Sequence, residues 1–252
     1  MSSISKAVRL GSHLLKIAAT NPARLSHVFG TALEASEGVA NHATDLLRFP
    51  TVSPEDLLPE SGELATLSLG LFPKTHASLS VLESVCLILL LKKARAQSVF
   101  EFGTYKGVSI SQLAFNLAEG SQIRTLDLPE QLGEIAFAIP DPDELQIARE
   151  AGKGSLVPVA VRPRIQFLKQ DSAKFDEKPL AGQVDFVFVD GAHSYDYVKS
   201  DSEKGWHMLR SGGIIAWHDC RVADPDVVRY LLQTTFHPAR ICHTTLAFAI
   251  KP

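Results

Sequence analysis

Cysteine is scarce in this chain of 252 residues: Cys86, Cys220 and Cys242 are odd in number, widely spaced and never arranged as C-x-x-C. That excludes a disulfide framework or a zinc knuckle, and a reducing cytoplasm is the expected setting. Long apolar runs are missing too. A membrane span needs roughly 18 or more consecutive apolar residues, and the longest run here, Val85–Leu91, suits a core segment instead. There is no basic excess, because 25 Lys and Arg face 28 Asp and Glu for a net charge of −3. Nucleic acid is therefore not an expected partner, since phosphate binding draws on clustered cations. Acids are absent from residues 1–33, a trait of transit peptides, yet no secretory h-region is present. A basic-faced amphipathic helix packing on the domain is the expectation there.

What the chain does contain is periodicity that changes along its length. Ser2–Leu47 reads as helical, with Leu10, Leu14, Ile17 and Ala18 on one face and Asn21-Pro22 opening a second helix. Prolines and glycine in Phe49–Pro54 and Leu58–Gly62 break the pattern and mark a linker. This divides the chain into a helical extension with linker at 1–60 and a domain at 61–252. Apolar N-terminal helices of this kind are an expected route to a homo-oligomer. From about residue 77 helix and strand alternate. Leu82, Val85, Cys86 and Leu89 form a helix stripe, and Ile110, Leu113, Ala114 and Leu117 form another. Buried strands are expected at Ser98–Phe102, Gln122–Leu126, Ile165–Lys169, Val184–Val189 and Ile214–Trp217, with Asp224-Pro225 capping a later helix. Arg240–His243 and Thr245–Ile250 are joined too closely for a helical crossover, so the last strand is expected to run antiparallel. The fold class is thus α/β and Rossmann-like: a mostly parallel, seven-stranded sheet with helices on both faces. Glu130–Val161 interrupts the alternation and reads as an inserted, lid-like segment.

Chemistry gathers at the strand ends. In open α/β sheets ligands bind outside the carboxyl ends of parallel strands. One strand ends in Asp190-Gly-Ala-His193 and the next in His218-Asp219, so two carboxylates and two imidazoles are aimed at one spot. The first strand leads through Gly103-Thr104-Tyr105-Lys106-Gly107 into a helix whose N-terminal N–H groups suit a carboxylate or phosphate. The second ends in Asp127, placed to accept ribose hydroxyls, and the third in Gln170-Asp171-Ser172, suited to an adenine edge.

The motifs VFEFGTYKGVS, LDLP, QDS, FVFVDGAHSY and LRSGGIIAWHD, in this order over residues 77–252, resemble the class I S-adenosylmethionine-dependent methyltransferases. The resemblance is nearest to their metal-dependent O-methyltransferase branch, which includes the catechol and macrolide-sugar enzymes. It implies that S-adenosylmethionine is the cofactor, lying along Glu101, the Gly103–Gly107 turn, Ser109, Asp127, Asp171, Ser172 and Asp190. Tyr105 stands where many members have glycine, and a non-glycine residue also occurs there in the catechol-type branch. The likeness further implies a divalent cation, Mg²⁺ by family, on Asp190, His218 and Asp219. The imidazole of His218 departs from the usual acidic or amide ligand and would suit Mn²⁺, Fe²⁺ or Zn²⁺ better. By the same likeness His193 is the general base, its ordinary pKa near 6.5 lying close to working pH. The implied acceptor is a hydroxyl on a small molecule: a sugar, polyketide or phenolic natural product. Two rival readings stand beside this one. A nicotinamide or nucleotide-sugar oxidoreductase lacks its third glycine here, and a non-catalytic binding module would keep the cofactor without turnover.

Overall fold

The structure is a computed structural model that describes residues 44–58, 66–70, 78–131 and 133–252. The chain divides into two compact units, 1–45 and 46–252. The first lies almost wholly outside the described residues, and so does the helical extension expected there.

The second unit is built on an eight-stranded sheet. Its strands are β1 (Thr51–Val52), β2 (Ser98–Phe102), β3 (Gln122–Asp127), β4 (Ile165–Lys169), β5 (Val184–Val189), β6 (Leu209–Trp217), β7 (Ala239–Ile241) and β8 (Ala247–Ile250). They lie in the order β1-β7-β8-β6-β5-β2-β3-β4. The pairs from β4 through β6 are parallel, and β8 is antiparallel to both β6 and β7. The antiparallel end follows from the short link between β7 and β8.

One strand more is present than the sequence predicts. Thr51–Val52, inside the expected linker, adds to the edge beside β7. Pro50 and Pro54 flank it, and proline is tolerated in a sheet only where no ladder donor is needed. Strand β6 also begins five residues earlier than its apolar run suggests. Gly212, at φ +74°, belongs to an irregular first half whose register against β5 shifts between Val184 and Phe186.

The helices are α1 (Val81–Lys93), α2 (Val108–Phe115), α3 (Pro142–Arg149), α4 (Tyr195–Met208) and α5 (Pro225–Gln233). A capping box starts α1: the Ser80 side chain accepts from Glu83 N–H and Glu83 accepts from Ser80 N–H. Cys86–Leu91 is buried on every side, so α1 is a core helix and not the one-sided stripe expected. Leu82, assigned to that stripe, is 37% exposed. Among the described residues no helix is long and apolar enough to cross a membrane.

Chain order reverses between β2 and β5, and this switch point opens the crevice. The two strands meet so closely at their carboxyl ends that a Cβ on Gly103 would lie 2.0 Å from the Asp190 carbonyl oxygen. Gly103 also has φ +91°, a conformation side chains resist. Gly120 has a similar φ of +82° but open space around it. Gly103→Ala should therefore cost about 2–4 kcal/mol in urea unfolding, against roughly 1 kcal/mol for Gly120→Ala. Equal losses would show that the close approach carries no energy.

Candidate functional site

A cavity of about 500 Å³ lies over the switch point, within the range of small-molecule sites. One wall is the turn after β2. Gly107 takes the N-cap position of α2 in the left-handed conformation and offers no side-chain cap, so the first N–H groups of α2, at Val108 and Ser109, border the cavity. A Cβ on Gly107 would strike Val157, so this glycine makes room for the inserted segment. Tyr105 is also left-handed, at φ +43°, a conformation that favours glycine over other residues. The inserted segment docks on the same turn, through Gly154 N–H to the Tyr105 carbonyl (2.7 Å) and Leu156 N–H to the Lys106 carbonyl (3.0 Å). Below the turn, Asp127 accepts from Thr104 N–H at 3.0 Å and Tyr105 N–H at 2.7 Å.

The opposite wall holds the acids and imidazoles. Donor atoms of Asp190, His218 and Asp219 all lie within 4.8 Å of one another. His218 Nδ1 is 3.0 Å from both Asp190 Oδ1 and Asp219 Oδ2, and its Nε2 faces Glu83 Oε1 at 3.7 Å. The Asp219 Oδ1 atom is buried without a hydrogen bond, since Arg221 Nη2, 3.1 Å away, is not aligned to donate. His193 Nε2 lies 2.9 Å from Asp219 Oδ2, while its Nδ1 pairs with Glu144 and sits 3.3 Å from Asp224 Oδ1. Asp219 holds a left-handed backbone at φ +55°, strain of the kind that collects at functional sites.

This is a glycine turn at a sheet switch point facing a carboxylate–imidazole cluster across one cavity. Residues 100–220 match a family model described as a methyltransferase domain. That stretch is similar to methyltransferase domains. The caffeoyl-CoA O-methyltransferase of Zinnia elegans is 29% identical over 154 residues, which is 57% of this chain and 56% of that protein. The enzyme of the same name from Medicago sativa is 25% identical over 187 residues, or 64% and 68%. The chain thus spans little more than half the length of the Zinnia relative. A solved structure of a Staphylococcus aureus protein assigned as a caffeoyl-CoA O-methyltransferase aligns with a TM-score of 0.51 at 15% identity. It covers 69% of this chain and 85% of that one, and it shares the methyltransferase fold.

Most residues singled out from the sequence border the cavity: Gly103, Thr104, Tyr105, Gly107, Ser109 and Asp127 on one side, with Ser172, Asp190, His193, His218 and Asp219 on the other. Two do not. Glu101 is fully buried and binds Ser109 and Thr125 hydroxyls at 2.6 Å each, behind the turn. Burial pushes its carboxyl up to about 8, against those two hydrogen bonds. The Asp171 carboxylate accepts from Ala136 N–H, Ala173 N–H and the Tyr197 hydroxyl, and so secures the inserted segment from outside the cavity. Asp224 stands at the N-cap of α5 but makes no cap bond, because its carboxylate is turned to His193 and Arg221. Trp217 packs in the core, with Nε1 donating to Ser202 Oγ at 2.8 Å. The sequence reading passed over Glu83, Glu144 and Lys153. Of these only Glu83 carried a local signal, the Ser-x-x-Glu pattern before an apolar run.

Charge in the cluster alters the expectation for His193. Burial alone would lower its pKa, but Asp219, Asp224 and Glu144 outweigh burial and raise it to about 12. His218 is likewise raised, against burial, by Asp190, Asp219 and Glu83. Both rings thus hold their protons well above the ordinary value of 6.5. Burial opposes ionisation of Asp219 and Glu83 too, yet their hydrogen bonds to these rings and to backbone hold both carboxyls well below the usual range. The stability from Asp219 and Glu83 is present above the ordinary values of 3.8 and 4.5 and is lost as pH falls. The histidines contribute fully below 6.5 and lose that contribution as pH rises toward their folded values. Glu101 and Asp201, both raised by burial, lose theirs above 4.5 and 3.8. The cation-free protein should therefore show its highest melting temperature near about pH 5 and lose several degrees by about pH 8. A melting temperature that rises across this interval contradicts the charge assignments.

Proposed function

We propose that this chain is an S-adenosylmethionine-dependent O-methyltransferase acting on a hydroxyl of a small molecule. The observation that carries this reading is the convergence of Asp190, His193, His218 and Asp219 on a cavity whose other wall is the Gly103–Gly107 turn. The likeness to enzymes named caffeoyl-CoA O-methyltransferase supports a phenolic acceptor over a sugar or polyketide. The three unpaired cysteines support a reducing, cytoplasmic setting.

The donor set fits a divalent cation: two carboxylates and one imidazole lie within reach of a single ion, and one buried carboxylate oxygen has no hydrogen bond. Asp190, His218 Nδ1 and Asp219 would hold it, with Glu83 facing the other ring nitrogen of His218 as outer carboxylates orient metal-bound imidazoles. Such an ion would lower the pKa of an acceptor hydroxyl and offset the carboxylate charge that keeps His193 protonated. The chain's own part is to position and to exclude. The turn after β2 and the α2 N-terminus receive the amino-acid end of the methyl donor. His193, carried three residues beyond Asp190, is the proton acceptor at the acceptor oxygen. Glu144 and Asp224 hold its Nδ1 side, which leaves Nε2 directed toward Asp219 and the cavity. Helix α3, which supplies Glu144, Ile147 and Ala148, covers the site from the inserted segment and keeps bulk water from the reacting atoms.

Calorimetry tests the cofactor directly: S-adenosylmethionine should bind while ATP and NAD do not, and equal affinity for all three ends the reading. Given binding, His193→Ala should leave cofactor affinity within about threefold and reduce methyl transfer to a catechol-type acceptor at least about a hundredfold. Unchanged turnover in that variant removes His193 as the base.

A further inference from the structure

We infer that Lys153, supplied by the inserted segment, is a second reader of the cofactor's ribose, sharing with Asp127 a task that the family likeness gives to the carboxylate alone. The inference rests on the cofactor reading above. An ionised carboxylate offers about four lone-pair positions. In Asp127 all four are addressed. Oδ2 accepts from Thr104 N–H at 3.0 Å and Tyr105 N–H at 2.7 Å. Oδ1 accepts from Leu128 N–H at 2.7 Å and faces Lys153 Nζ at 3.3 Å. Three of these donors are backbone groups fixed by the turn and the strand end. Only the ammonium can move aside.

Lys153 is itself placed deliberately. It sits between Gly152 and Gly154, both left-handed at φ +80° and +72°, in a turn that side chains at those positions would resist. Its side chain is only 5% exposed and borders the same cavity as Asp127. A buried ammonium has to be paired or hydrogen-bonded. Besides Asp127 it donates to the Ile147 carbonyl at 3.0 Å, in the last turn of α3, where the helix dipole favours a cation. An ammonium has three donors, and among the described residues these partners occupy two. The third is available to a ligand oxygen in the cavity. A ribose hydroxyl at this end would accept from Lys153 and donate to Asp127 Oδ1, inserting between the paired charges. The inserted segment would then be part of the cofactor site as well as a cover for the acceptor.

Calorimetry on the full chain decides this, with S-adenosylhomocysteine and its 2′-deoxy and 3′-deoxy analogues as ligands. The wild-type protein should prefer the parent compound over at least one analogue by about tenfold or more. Lys153→Met should weaken the parent compound by about tenfold and bind that analogue equally well. Lys153→Arg, which keeps a charged donor, should retain the preference within about threefold, and it carries the test if the methionine variant fails to fold. Lys153→Met with wild-type affinity and preference overturns the inference. So does uniform weakening that leaves the preference intact, or loss of the preference in a folded Lys153→Arg. Wild-type protein with no affinity for S-adenosylhomocysteine removes the cofactor reading itself, and this inference with it.

Discussion

The site depends on one close approach, that of the β2 end to the β5 end. Gly103 carries no Cβ where a Cβ would meet the Asp190 carbonyl at 2.0 Å, and the ladder continues past it through Asp190 N–H to the Phe102 carbonyl at 2.9 Å. That contact brings the glycine turn beside the first carboxylate of the carboxylate–imidazole cluster. Everything downstream in the chain is then held by regular structure. Parallel pairing of β5 with β6 sets Val189 opposite Trp217, so His218 and Asp219 emerge beside Asp190. Two strand ends and one missing methyl group thus bring donor and acceptor chemistry to within one cavity of each other.

The charged cluster is costly to assemble and is therefore informative. Carboxylates and imidazoles this buried must pair or bind an ion, and here they pair with one another. His193 shows the consequence. Its environment holds the proton of an ordinary imidazole far more tightly, through the carboxylates of Asp219, Asp224 and Glu144.

Much of this was legible in the sequence because strand ends in a parallel sheet are addressed by pattern alone. Val184–Val189 and Ile214–Trp217 are apolar runs that terminate in polar residues, and those polar residues border the cavity. What failed to show had physical causes. Thr51–Val52 is too short for a period and lies between prolines, so it read as linker until the edge of β7 captured it. Glu101 and Asp171 had the right residue type and spacing but point away from the cavity, because a strand's period places alternate side chains on opposite faces and a loop can turn a carboxylate onto backbone donors. Asp224 looked like a helix cap, which is what its spacing allows, and only the fold reveals that its carboxylate faces His193. Glu144 and Lys153 lie in an inserted segment whose path no local rule dictates. Their position comes from glycines at 107, 152 and 154 that let the segment settle on the turn.

The central claim is that a methyl donor and a divalent cation meet across this single cavity. A crystal structure of the chain grown with S-adenosylhomocysteine and Mn²⁺, with anomalous scattering to locate the metal, tests it most directly. The account predicts the homocysteine portion against Gly103 and the α2 N-terminus, with one manganese peak bridging Asp190, His218 Nδ1 and Asp219. An empty cluster at saturating manganese, or the nucleoside bound away from the turn after β2, would contradict it.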